Sequence, residues 1–481
     1  MAKTYLLKGG LVATFDDKDN QARTLRADVL VKDGVIADVA ADIPVSAGVE
    51  VVDCTDKWIA PGMVDTHRHT WMAILRGSQC DWLLTEYLVK NSWNMQGDLT
   101  PSEVRIGQLA GCIDALQCGV TTILDHFHIA NSPEHSEQAL QATIESGARV
   151  IFAPARQSPP TKILPTFEFG NEAEAHKWQL DQLQEWGKKD GGKLSPDGRV
   201  TLGFAYDLVI YGFDIPHKEI VSLARSSNAS IITAHVVQAW RDKELLGPDV
   251  VFSHCNSLAY RTAPDDEAWA AMKEHQCAIA STPEDELGMA HGNPVAFDGV
   301  DRGVKCGLGC DAVSINSGDM FTQMRFALQW HRGRWNEQIL QSKSTSPKHV
   351  KHTSADAFRL ATLGGAEALN MSHLIGTIQV GKRADIVIYD ATSLNLAGIQ
   401  DPIQGIVFNA SNADVETVFV DGEIVVDKRV PGKVGLKGGI EWKNVAKELR
   451  ARGEDLRKRW PLDKLEELWD EYYTKNGAPA I

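Results

Sequence analysis

Two textures of apolar and polar positions alternate along the chain. Residues 4–56 carry short strand-like runs, Tyr5–Thr14, Ala27–Asp33, Val35–Val39 and Val49–Cys54, separated by Gly, Asp and Asn. Lys32-Asp-Gly34 between the second and third runs is a hairpin signal. From about residue 58 the pattern changes to apolar strands alternating with longer amphipathic segments. The expected strands are 58–66, Thr121–Asp125, Ala148–Ala153, Val200–Ala205, Ser230–Ala234, Val250–Ser253, Ala278–Ser281 and Val304–Gly309. Helical patterns such as Ser102–Gln117 and Ser136–Glu145 lie between them, the first opened by Thr100-Pro101 as N-cap and first helical residue. Eight β/α units over roughly 270 residues predict a distorted (β/α)8 barrel, a fold that usually takes about 250.

Past residue 370 the strand texture returns, in Gly376–Asp390 and in Val415–Val426 with its Asp421-Gly422 turn. The simplest arrangement is a small composite β-sandwich made from both ends of the chain, residues 1–57 and 375–435, with the barrel of residues 58–374 inserted between them. Residues 436–481 read as a charged helical extension, Glu441–Tyr473 broken at Trp460-Pro461, that packs on the body or on a partner subunit. Gly376-x-x-x-x-Gly381-Lys382 imitates a phosphate-binding loop, but Arg383 stands where Ser or Thr is needed and a strand follows instead of a helix. Nucleotide binding is therefore not expected from it.

Composition narrows the function classes without naming one. Hydrophobic content of 43% and charged content of 23% describe an ordinary globular chain. A net charge of −15 disfavours nucleic acid and anionic membranes as partners. The first residues contain no apolar stretch long enough for an export signal, and no run reaches the length of a membrane span. Eight cysteines in 481 residues do not make a disulfide framework. A cytoplasmic protein with free thiols is expected.

The chemistry is carried by residues at strand ends. His67 and His69 close the first barrel strand two positions apart, so an extended backbone points both imidazoles the same way. His235 closes the fifth strand, His254 the sixth, Asp311 follows the eighth and Glu284 follows the seventh. A barrel places all of these at its C-terminal end, where catalytic groups sit in this fold. Imidazoles and a carboxylate converging there form a candidate metal site.

With these residues in place the sequence resembles the amidohydrolase superfamily, in its branch of triazine hydrolases, aminohydrolases and chlorohydrolases. The resemblance spans residues 1–435 and rests on Pro61-Gly-Met-Val-Asp-Thr-His-Arg-His69, Gly119-Val-Thr-Thr122, His235, His254, Gly307-Leu-Gly-Cys-Asp311 and Gly376–Asp390. It implies that His67, His69, His235 and Asp311 hold one divalent metal per subunit, zinc or else iron. The fourth strand, Val200-Thr-Leu-Gly-Phe-Ala-Tyr-Asp207, has no lysine that could be carbamylated to bridge a second ion, so a mononuclear site is expected.

A bound Zn²⁺ lowers the pKa of its water from about 15.7 towards about 7, which supplies hydroxide at neutral pH. Asp311 is placed to accept the proton and pass it to the leaving group. His254 is placed to orient or donate to the atom where negative charge develops. The expected activity is hydrolysis of a C–N bond, by deamination or a related displacement, in a small nitrogen heterocycle. One departure stands out: aminohydrolases of this branch carry Glu three residues after the fifth-strand histidine, and here that residue is Gln238. A neutral amide orients but does not shuttle protons, so Glu284 is the expected substitute. Trp71, Arg76, His126 and His291 are the expected substrate-pocket residues. His126 and His128 form a second His-x-His pair for which no further ligands are expected. Two other readings remain at this level: a non-hydrolytic metal-dependent decarboxylase or lyase, and a catalytically silent structural homologue. The terminal helices make a homo-oligomer the expected state.

Overall fold

The computed structural model describes residues 3–157, 160–162, 168–169, 177–211, 214–429 and 439–476. The boundary expected at 435/436 lies outside the described residues. Both ends of the chain enter one eight-stranded sheet. Its centre is Lys57–Pro61, which lies parallel to Thr4–Phe15 on one side and antiparallel to Ile386–Asp390 on the other, with Ile59 opposite Ile388. Val415–Val420 and Glu423–Asp427 complete that flank as a hairpin. Asp33-Gly34 and Asp421-Gly422 all have positive φ, as a tight hairpin turn requires. Tyr5, Val29, Ile59, Ile388 and Phe419 bury a common apolar face.

The stretch 58–66, expected as a single strand, is two. Lys57–Pro61 stays in the composite sheet, and Met63–Arg68 opens the barrel as β1. Gly62 is the joint, where a Cβ would stand 2.1 Å from the Thr121 hydroxyl. The parallel strands then follow as β2 (Val120–Phe127), β3 (Arg149–Arg156), β4 (Phe204–Tyr206), β5 (Ile232–Ala234), β6 (Val250–Ser253), β7 (Ala278–Ser281) and β8 (Lys305–Leu308). The fourth expected strand is interrupted at Gly203, and its first half, Val200–Leu202, pairs with β3 alone. β8 returns to β1 through a single parallel bridge between Arg68 and Asp311. There the Asp311 N–H donates to the His67 carbonyl at 2.9 Å and the His69 N–H to the Asp311 carbonyl at 3.0 Å. The barrel thus closes at the residues that carry its chemistry.

Helices cover the outside. Pro101–Gln117 starts at a capping box between Thr100 and Glu103, which satisfies two of the free N–H groups at the helix start. The terminal helices Trp442–Arg459 and Leu462–Asn476 pack on the body: Lys90, fully buried, donates to Glu86 at 2.5 Å and to Glu466 at 2.6 Å. At the other end of the barrel Arg149 joins β3 to the composite sheet through Asp385 (2.8 and 3.0 Å) and Asp421 (2.6 Å). All eight cysteines are unpaired. Among the described residues no helix is long and apolar enough to cross a membrane.

Candidate metal and catalytic site

β1 delivers His67 and His69 with ring centroids 4.8 Å apart. Their backbone is set by Asp65, whose Oδ1 accepts the N–H groups of His67 and Cys310 while Oδ2 holds Arg68 at 2.7 Å. Both residues of that ion pair are fully buried, and Arg68 also donates to the Gly318 carbonyl. Gly309 lets β8 pass, since a Cβ there would lie 2.6 Å from the His67 carbonyl.

Each histidine has one ring nitrogen engaged and the other turned inward. His67 Nδ1 bonds Ser253 Oγ at 2.8 Å, and its buried Nε2 has no hydrogen-bond partner. His69 Nδ1 lies 2.7 Å from the His126 carbonyl, so Nδ1 donates and Nε2 carries the lone pair. His235 is gripped by Asp207, which accepts both its backbone N–H and its Nδ1–H at 2.8 Å. Asp311 Oδ1 sits 3.3 Å from His67 Nε2 and 3.2 Å from His69 Nε2. Potential ligand atoms of His67, His69 and His235 lie within 4.8 Å of one another, as do those of His67, His254 and Asp311. An orphaned, buried Nε2 facing two further imidazoles and a carboxylate fits a divalent metal. Partners on the outer ring nitrogens, as in metal-binding histidines generally, fix the tautomer such a site needs.

Electrostatics agrees with that assignment. Burial holds His67 well below the usual histidine range. Burial also disfavours the charged form of His235, but the Asp207 carboxylate outweighs it and the pKa is raised. Burial opposes ionisation of Asp311, yet His254 and the two β1 histidines overcome it and hold the carboxyl well below its normal range.

His254 points Nε2 at Asp311 Oδ2 (3.5 Å) and places Nδ1 2.8 Å from Thr282 Oγ1. Burial lowers it to about 4. Its φ of 65° and the 52° of Asp311 put both in the left-handed region, which non-glycine residues occupy at a cost of about 1–3 kcal/mol each. Such strain concentrates at functional sites.

The carboxylate expected to reach this site does not. Glu284 turns away to Ser317 Oγ at 3.5 Å and Gln323 Nε2 at 3.2 Å, in the helix Pro283–Gly288. Glu286 is the carboxylate that lies nearer: it is fully buried, accepts from Ser281 Oγ (2.9 Å) and the Thr282 N–H (2.8 Å), and lies 3.6 Å from His254 Nδ1. Burial pushes Glu286 up to about 8. Two residues apart on a helix are about 200° apart, so only one of the pair faces the barrel. Gln238 also faces elsewhere, donating to Asp242 at 2.7 Å and accepting from Arg261 at 3.4 Å.

The pocket residues divide likewise. His126 lies inside, its ring 5.5 Å from His67 and 4.7 Å from His235, with Nε2 3.3 Å from Asp207. His291 lies 4.6 Å from His254 and leaves a buried Nε2 without a partner. Trp71 is fully buried with its ring 5.6 Å from His128, whose own ring lies tilted 3.9 Å from that of His69. Arg76 is outside the site, paired with Asp114 at 2.9 Å and half exposed. A further ligand set does accompany the second His-x-His pair, contrary to expectation: His126, Asp207 and His235 bring donor atoms within 4.8 Å. Because Asp207 already binds His235 Nδ1, its geometry is that of a carboxylate orienting a ligand histidine. Asp207 ends its strand in the same layer as His235, which was the signal for it.

Known proteins share this architecture. The model of the Amidohydrolase family matches residues 208–425, which include His235, His254 and Asp311. Over that span the chain is similar to the amidohydrolase family. Similar proteins include a 5'-deoxyadenosine deaminase of Methanobrevibacter smithii, 26% identical over 89% of this chain and 93% of its own length. A 5-methylthioadenosine/S-adenosylhomocysteine deaminase of Thermococcus kodakarensis is 27% identical over 88% of this chain and 94% of its own. Among solved structures, a zinc-bound adenosine deaminase of Xanthomonas campestris superposes with a TM-score of 0.76 at 20% identity, covering 94% of this chain and 98% of that one. A zinc complex of the atrazine chlorohydrolase of Arthrobacter aurescens gives 0.74 at 19% identity, with 93% and 100% covered. These superpositions establish the shared fold.

Proposed function

We propose that this protein is an amidohydrolase that removes an amino group hydrolytically from a small nitrogen heterocycle, using one divalent metal, zinc in preference to iron, held by His67, His69, His235 and Asp311. The observation that carries the reading is the buried Nε2 of His67, unpartnered and facing His69, His235 and Asp311. The metal would supply a water ionised near neutral pH, the nucleophile such a reaction needs. Asp311, a carboxylate 3.2–3.3 Å from the two β1 imidazoles, accepts the proton of the attacking water. His254, neutral and backed by Thr282 and Glu286, donates to or orients the reacting heterocycle. Glu286 is a buried acid that can replace a proton given up through His254, the task the missing glutamate at position 238 leaves open. His291 and Trp71, with ring N–H groups unpartnered in the buried site, are substrate donors.

The deaminase relatives act, by their names, on adenine nucleosides and thioethers. An aminopurine nucleoside is therefore the first substrate class to assay. Gln238 lends no weight to the non-hydrolytic reading, since its amide is occupied by Asp242 and Arg261. The decisive experiment measures ammonia released by the zinc-loaded protein from 5'-deoxyadenosine, 5'-methylthioadenosine, S-adenosylhomocysteine, adenosine and aminotriazines. Release from at least one, lost on chelation and restored by zinc, is expected. Protein that holds zinc yet releases ammonia from none of them refutes the reading.

A further inference from the structure

A second cluster of metal-type side chains lies outside the barrel. Asp301 ends the helix Ala296–Arg302, His331 sits within Met320–Lys343, and His352 precedes the helix Ser354–Ala361. One donor atom from each falls within 4.8 Å of the others. The two histidines are more than nine-tenths buried, at 8% and 7% exposure, and Nε2 of each has no hydrogen-bond partner. Leaving the His331 nitrogen unsatisfied in a protein interior costs about 1–3 kcal/mol and needs an explanation, while the only polar neighbour of His352 Nε2 is the Asp301 carboxylate.

We propose that Asp301, His331 and His352 form a peripheral binding site for a borderline transition-metal ion such as zinc. His352 Nε2 lies 3.3 Å from Asp301 Oδ1, the separation of roughly 3.3 Å expected for two ligands about 2.0 Å from one tetrahedral ion. Behind it, His352 Nδ1 faces Asp356 at 3.8 Å, the carboxylate–histidine arrangement that orients a metal ligand. Lys351 holds the other oxygen of Asp301 and leaves Oδ1 free for the ion. Phe297 stacks 4.5 Å from His352 and closes one side. Beside the cluster lies a cavity of about 340 Å³ whose lining includes His331, Arg334, Trp335 and Lys351. Three protein ligands leave one position of a tetrahedral ion to be filled by water. Its ion would tie the 344–353 connection to two helices, because the ligands come from three separate segments.

The test uses the full-length protein stripped of metal, titrated with zinc and with cobalt(II), and followed by bound-metal analysis and cobalt absorption. Wild type is expected to bind two equivalents per chain. His331→Gln and His352→Gln are expected to bind one, with peripheral affinity weakened by about 100-fold or more and deaminase-type activity unchanged. Binding of a single equivalent by wild type overturns the proposal, as does retention of both equivalents by the two variants. If one histidine variant fails to fold, Asp301→Asn serves: undiminished affinity for the second equivalent in it overturns the proposal too.

Discussion

His254 and Asp311 meet at the C-terminal end of the barrel with Nε2 3.5 Å from Oδ2, and both hold left-handed backbone. The shared strain aims two side chains from β6 and β8 at one point. Asp311→Asn keeps that backbone, because Asn tolerates the left-handed region, and removes only the charge. The variant is expected to fold with an unchanged circular dichroism spectrum, to hold metal less tightly, and to lose about 10²–10⁴-fold in kcat. Activity within a few-fold of wild type would remove Asp311 from the mechanism.

Glu284 and Glu286 give a clean internal comparison. Glu286→Gln is expected to lower kcat by about 10-fold or more, as loss of a proton-transferring group does. Glu284→Gln should leave it within about 3-fold, the usual range for an outward-facing group. Steady-state kinetics of both variants on one substrate decide it, and the reverse order would restore Glu284 as the acid.

Glu286 also predicts a stability profile. Burial raises its pKa from the ordinary glutamate value to about 8, so the folded state binds a proton that the unfolded state releases at lower pH. The stabilisation is therefore fully present below the unfolded pKa near 4.5 and is lost as pH rises towards 8. Each pH step of one within that window costs about 1.4 kcal/mol. Tm should fall between about pH 5 and roughly 8, and Glu286→Gln should flatten that slope in differential scanning calorimetry. An equal slope in the variant would show that Glu286 does not titrate in this window.

Asp207 accepts the Nδ1–H of His235, the proposed metal ligand. Removing an orienting carboxylate typically costs about 10–100-fold in metal affinity. Asp207→Asn should show that loss in competition with a chromophoric chelator, while His126→Gln should show less. Equal affinities for Asp207→Asn and wild type would mean that His235 needs no support.

Arg149 joins the barrel to the composite sheet through Asp385 and Asp421. Arg149→Met strands a buried carboxylate and is expected to cost about 3–5 kcal/mol in urea unfolding. The double variant with Asp385→Asn should recover part of it.

The alternation of strands and helices was enough to name the barrel, and the returning strand texture past residue 370 named the composite sheet. His67, His69, His235, His254 and Asp311 were legible because a parallel barrel sends every strand end to one side, which turns strand-ending residues far apart in the chain into one layer. Asp207 obeys the same rule, but a carboxylate that acts through a ligand histidine carries no spacing signature of its own.

Chain direction and period, which the sequence by itself determined, account for the barrel, the composite sheet and the layer of histidines and Asp311 at its C-terminal end. Where side chains turn once they leave a strand was decided only by the tertiary structure. Glu286 rather than Glu284 reaches His254 because packing chooses which face of a short helix is buried. Arg76 pairs with Asp114 on the helix Pro101–Gln117 instead of entering the site. Asp301, His331 and His352 meet only because three segments far apart in the chain pack together, and no local spacing encodes that.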